Sequence, residues 1–188
     1  MIILISGMPG SGKSTVKSLL AEKLHYQPYS TGDIQRELAE ENHLTITQWG
    51  EEEKKDPKCD LMVDKRTEEV LEKRDNIVMD SWIAAHFAKD RSKILSIFLD
   101  CEETERARRR LSQKRPTEAF DSIDKIITDM RQRIQTNRER WIKFYSYDFL
   151  DLTNYDLIID TTQLTPAQVA DQIIGYMKDF CQYNPVKD

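Results

Sequence analysis

The run "GMPGSGKS" at residues 7–14 constrains this chain more than any other stretch. It satisfies G-x-x-x-x-G-K-[ST], and its surroundings meet the condition that gives the pattern meaning: an apolar run over residues 2–6 enters it and a helical pattern leaves it. Backbone N–H groups of such a loop wrap an anion at a helix N-terminus, and Gly7, Gly10 and Gly12 stand where the chain must take positive φ or press against phosphate. Pro9, Ser11 and Gly12 complete the cradle. Lys13 is expected to bridge the β and γ phosphates, the Ser14 hydroxyl to bind Mg²⁺, and Thr15 to lie beside the α and β phosphates.

A loop of this kind needs a parallel sheet behind it, and the remaining pattern supplies one. Largely apolar runs at residues 2–6, 76–80, 93–100 and 155–161, with a brief second strand expected at 27–30, alternate with helical segments. Five strands separated by helices predict an α/β fold, a doubly wound parallel sheet. Helices are expected from 14 to 25, 33 to 41, 47 to 74 with a break at Asp56-Pro57, 102 to 114, 121 to 147, and from Thr165-Pro166 onward. At 188 residues the chain suits one domain with a mobile insertion.

Charge and cysteine usage narrow the partners. A net charge of −5 argues against binding long nucleic acid. Three cysteines without a C-x-x-C pair point away from a disulfide framework or zinc site and toward a reduced cytosol. No apolar run reaches the ~18–20 residues that span a bilayer, and the first residues read as a strand rather than a targeting segment. His25, His43 and His86 have no metal-like spacing, and "EEEKKD" at 51–56 reads as a solvated helix face.

The phosphate loop does not by itself name the acceptor. A guanine-reading N-K-x-D is absent, as is the acid or signature loop of motor and transporter ATPases. Asp80 ends an apolar strand, where a carboxylate can hold Mg²⁺-bound water or cap the short helix that follows. "STGD" places Thr31, Gly32 and Asp33 at a helix start facing the same crevice, with Arg36 one turn in, suited to a second phosphate. Two arginine-rich helices follow. Arg106, Arg109 and Arg110 recur at helical spacing, Lys114 and Arg115 extend the run, and Arg133 and Arg140 are seven residues apart, so each set can present one face. Met130, Ile134, Trp141, Phe144 and Tyr145 read as a core stripe.

These residues together resemble the nucleoside monophosphate kinases, most closely the short archaeal-type cytidylate kinases. The resemblance rests on "ISGMPGSGKST", "STGDIQRELAEE", "VDKR", "NIVMD", "TERARRRL", "RQRI" and "LTNYDLIIDTTQLTP" and covers nearly the whole chain. It implies a P-loop core with strand order 2-3-1-4-5 (residues 1–32, 76–109 and 148–188), an acceptor-binding insertion at about 33–75, and a lid with flanking helices at about 110–147. It also implies transfer of the γ-phosphate of MgATP to CMP or dCMP by a cytoplasmic monomer. Carried over by position, Lys13 binds donor phosphates, and Arg109 or Arg110 with Arg131 stabilise the transferring group. Arg36 binds the acceptor phosphate, Arg133, Asn137 and Arg140 flank the acceptor, and Thr161 lies near adenine. Trp82 stands where relatives carry an arginine, and Asn137 where they tend to carry an acid. If the indole is merely a missing clamp, Trp82→Arg should tighten CMP binding; if it packs beside Ala85 and Phe87, the arginine should destabilise the fold. Two other readings stay open: a kinase of UMP, a nucleoside or a metabolite hydroxyl, with Asp33 as base, and a nucleotide-binding sensor or scaffold that transfers nothing.

Overall fold

A computed structural model describes residues 1–112 and 122–183. Five strands form one parallel sheet: β1 (Ile2–Gly7), β2 (Gln27–Ser30), β3 (Ile77–Asp80), β4 (Ile94–Asp100) and β5 (Leu157–Asp160), in the order β2-β3-β1-β4-β5. This is the expected order. All six β1 residues are buried because helices cover both faces, which explains why its apolar run does not alternate with polar residues. Ile3 and Ile5 pack with Val16 and Leu20 of α1 (Lys13–Leu24) and Val169 and Ile173 of α8 (Pro166–Tyr183). Ile2 and Leu4 face the opposite core with Ile34, Leu38, Trp49, Trp141 and Phe149.

Between β2 and β3 the chain builds α2 (Thr31–Glu41), α3 (Ile46–Lys55) and α4 (Pro57–Lys73). Asp56 separates the last two: its carboxylate accepts from the Lys58 amide, and Pro57 at the first helical position has no N–H to satisfy. The expected single helical segment is thus two helices hinged at the predicted break. After β3 come the short α5 (Ala84–Phe87) and β4, then α6 (Glu103–Ser112) and α7 (Ile123–Tyr145). Lys114 and Arg115 lie outside the described residues. Met130 and Trp141 are buried as expected, but Phe144 is 65% exposed. Three residues beyond Trp141, it is turned about 60° off the buried stripe at 100° per residue, and Lys143 Nζ covers its ring at 5.5 Å. Among the described residues no helix is long and apolar enough to cross a membrane.

The register decides where the site lies. Ser30 pairs with Asp80, Ile5 with Asp80 and Gly7 with Leu99, so the phosphate loop, the start of α2 and the end of β3 emerge side by side at the carboxyl edge of the sheet.

Candidate functional site

Ordinary helices begin with a capping side chain, and α1 does not. Gly12 caps it with φ 99°, no side chain accepts from its first amides, and no acid stands in its first turn. The N-terminal N–H groups and the positive end of the helix dipole are left for an anion. Gly7 takes φ 132°, and a Cβ there would lie 2.1 Å from the Leu99 carbonyl oxygen, so only glycine lets the loop cross β4. At Gly10 a Cβ would sit 2.8 Å from the Arg106 carbonyl, which seats the loop against α6. Lys13 curls over the loop, its Nζ donating to the carbonyls of Gly7 and Met8 at 2.8 Å each.

Two cavities adjoin here. The smaller, about 210 Å³, is bounded by Pro9, Gly10, Gly12, Lys13, Ser14 and Thr15 with Trp82, Arg110 and Arg133. The larger, about 460 Å³, runs from Lys13, Ser14 and Lys17 past Thr31, Gly32, Asp80 and Ser81 to Asp60, Asp64, Asn137, Arg140 and Tyr145. Lys13, Ser14, Trp82 and Arg133 line both.

Several predicted residues meet there and several do not. Arg133 and Arg140 share one face of α7 and one cavity, as their spacing indicated. The arginines of α6 diverge instead. Arg106 is buried, its Nε donating to the Cys101 carbonyl at 2.9 Å, and burial depresses its pKa. Arg109 turns to β5, donating to the Thr161 hydroxyl and to the Thr161 and Thr162 carbonyls at 2.7–3.2 Å. Arg110 alone of the three lines the phosphate cavity, with Asp129 at 3.5 Å. Thr161 is buried, its hydroxyl 3.0 Å from the Ser11 carbonyl and 2.9 Å from that of Asp100, so it braces the loop against the sheet. Ser11 is buried beneath the loop rather than lining it.

Arg36 and Arg131 lie outside both cavities. Arg36 is 61% exposed and donates to Asp33 at 2.5 Å; Arg131 is 69% exposed and pairs with Glu103. Asp33, predicted at the acceptor site, also lines neither cavity; its side chain is about one-third exposed at the start of α2, where Ser30 caps its amide. Burial opposes the Asp33 carboxylate, but hydrogen bonds from Ser30 and Arg36 outweigh it and hold the pKa below the usual range. A carboxylate so occupied and so acidic is poorly suited to serve as the base for a hydroxyl acceptor. At the end of β3, Ser81 rather than Asp80 accepts from the amides of Ile83 and Ala84, and Thr31 donates to the same hydroxyl at 3.1 Å. Asp80 is left facing the cavity, 3.5 Å from Lys17 Nζ.

Trp82 is both wall and core. Its ring stacks on Phe149 at 5.2 Å and 8°, meets Trp141 edge-on at 5.6 Å, and receives the Arg133 guanidinium at 5.2 Å and Lys13 Nζ at 5.6 Å over its ring. Lys17 was missed in the sequence, although its i,i+4 relation to Lys13 puts both on one face. Asp60, Asp64 and Tyr145 were missed because nothing local pairs α4 with α7.

The comparisons agree with this geometry. A family profile described as an AAA domain matches residues 3–129. The chain is 38% identical over 174 residues to a cytidylate kinase of Halobacterium salinarum, covering 93% of this chain and 88% of the relative. It is 35% identical to a cytidylate kinase of Sulfolobus acidocaldarius, covering 93% of each. Among solved structures, a shikimate kinase from Bacteroides thetaiotaomicron superposes with a TM-score of 0.64 at 18% identity, covering 95% of this chain and 98% of that one, a likeness of fold. A sheet in the order β2-β3-β1-β4-β5, a glycine-rich phosphate loop opening onto paired cavities, and full-length similarity above 30% assign the chain to the cytidylate kinase family of P-loop proteins.

Proposed function

We propose that the protein transfers the γ-phosphoryl group of ATP to a pyrimidine nucleoside monophosphate, CMP or dCMP, giving ADP and CDP or dCDP. One observation carries the proposal: the phosphate-loop cavity and the larger cavity share Lys13, Ser14, Trp82 and Arg133, so phosphates bound in each would meet at those residues. In the reaction an oxygen of the acceptor phosphate attacks the γ-phosphorus, and the bond to the β,γ-bridging oxygen breaks, that oxygen leaving with ADP.

No base is required. A nucleoside monophosphate has a second pKa near ~6, so at neutral pH it is largely dianionic and already nucleophilic. What the chain supplies is position and positive charge. Lys13 and Arg110 serve the donor side, Lys17 and Arg140 the acceptor side, and Arg133 both. Mg²⁺ suits the hydroxyl of Ser14 with Asp80 acting through water, since this ion keeps several waters and takes few protein ligands. It would neutralise charge on the donor phosphates. On this reading residues 33–75 form the acceptor-binding insertion and about 110–147 the lid and its flanking helices, of which 113–121 lie outside the described residues. Described residues of a single chain line both cavities, and action as a monomer in the cytoplasm belongs to the same reading.

ADP release measured with ATP and a panel of CMP, dCMP, UMP, AMP and a hydroxyl acceptor tests the reading; release stimulated by CMP or dCMP is expected, and acceptor-independent release alone would overturn it. A second expected result concerns the adjoining cavities. Cytidine and adenosine joined through a polyphosphate should raise the melting temperature more than ATP or CMP at equal concentration, because a ligand filling both subsites binds only the folded state and binds it more tightly. A shift no larger than that of ATP would mean that the cavities do not act as a pair.

A further inference from the structure

Resting on the reading that the acceptor is a pyrimidine mononucleotide, we infer that Asp64 and Tyr145 form the base-reading end of the larger cavity and select a base with an exocyclic 4-amino group over one with a 4-oxo group. The two ends of the cavity are distinguished by what they adjoin. Lys13, Ser14, Trp82 and Arg133 border the phosphate loop, whereas Asp64 and Tyr145 also line a separate cavity of about 420 Å³ with Leu61, Lys65 and His86. Lys13, Lys17 and Arg133 lie at the first end, where Asp80 is paired with Lys17, and Asp60 and Asp64 lie at the second, where Arg140 is paired with Asp60, so the more basic end suits the phosphate and the end at α4 the base.

At the base end the hydrogen-bonding pattern is one-sided. The Tyr145 hydroxyl donates to Asp64 Oδ2, which spends its proton and leaves it lone pairs only. Asp64 Oδ1 receives no hydrogen bond from a described residue. Burial raises the Asp64 pKa, opposed by the Tyr145 hydrogen bond, while neighbouring Asp60 raises it further. This wall thus offers acceptors, partly desolvated and in want of a donor. Cytosine presents an N4 amino group to such a wall; uracil presents a carbonyl oxygen, and acceptor would face acceptor. Arg140, held 3.5 Å from Asp60, and Asn137 line the same cavity and can donate to the ring nitrogen and the 2-oxo oxygen.

The test uses the wild-type protein first. With ATP saturating, kcat/KM for CMP should exceed that for UMP, and that for pyrimidin-2-one riboside 5′-monophosphate, which lacks the 4-amino group, by about 10- to 100-fold, the discrimination expected from one lost hydrogen bond to a charged acceptor. Asp64→Asn exchanges an acceptor for an amide that can donate to the uracil 4-oxo oxygen. The CMP-to-UMP ratio should fall at least about ten-fold, with the KM for ATP unchanged and the melting temperature not lowered, because the change removes a carboxylate that burial disfavours. Equal use of CMP, UMP and the pyrimidin-2-one nucleotide by wild type overturns the inference. So does an Asp64→Asn protein whose activity drops in parallel for every acceptor. If wild type accepts no pyrimidine mononucleotide, the proposed reaction itself fails, and that result is read before any variant is made.

Discussion

Lys13→Ala is expected to lower phosphoryl transfer by about 10²-fold or more while leaving the protein folded. The side chain sits over the phosphate loop, its ammonium bonded to the loop carbonyls of Gly7 and Met8, and it lines both cavities. Charge placed where the transferring phosphoryl develops its own is worth far more in a cleft than in water. The loss to stability is small by comparison: two part-buried hydrogen bonds to carbonyls contribute about 1 kcal/mol each. In a chain of this length that corresponds to a fall in melting temperature of only about 2–8 °C. Steady-state ADP release with CMP, paired with a melting curve, checks both halves. Turnover close to wild type would remove the phosphate loop from the mechanism.

Replacing Trp82 should cost more stability than replacing Lys13. Trp82→Ala strips a ring that stacks on Phe149 and abuts Trp141, and for a half-buried indole about 2–4 kcal/mol is expected, a drop of about 5–15 °C in melting temperature. The same change leaves Arg133 and Lys13 without the ring face they lie over, so CMP binding should weaken too. Trp82→Arg distinguishes the two sequence-based expectations for this position. An arginine cannot reproduce the stack, and its charge would enter beside Lys13 and Arg133, already 5.6 and 5.2 Å from the ring centre. The structure therefore predicts a lower melting temperature and no gain in CMP affinity. A titration showing CMP bound ten-fold or more tightly, with the melting temperature unchanged, would restore the view that the indole is only a missing clamp.

What could be read from the sequence alone is what depends on neighbours within a few residues. The phosphate loop was legible because strand, glycines, lysine and helix occupy one continuous stretch and the φ of Gly7 and Gly10 is a local demand. The central strands β1, β3 and β4 were legible because strands buried on both faces read as largely apolar runs, and Asp56-Pro57 marked its helix break by chemistry confined to two residues. The facing of Arg133 and Arg140 followed from helical periodicity in the same way. Tertiary structure decided the rest. Helical spacing groups Arg106, Arg109 and Arg110, but the Cys101 carbonyl holds the Arg106 guanidinium and the Thr161 carbonyl that of Arg109, so Arg110 is the one of the three that lines the phosphate cavity. Arg36 and Arg131 carry the right charge, yet Asp33 and Glu103 lie closer to them than the cavity does. Tyr145 reads as core by its spacing and becomes a cavity wall only because α7 docks against α4, bringing its hydroxyl to an aspartate 81 residues away. A pairing over that distance is set by the packing of whole elements, and no pattern of adjacent residues encodes which side chains it brings together.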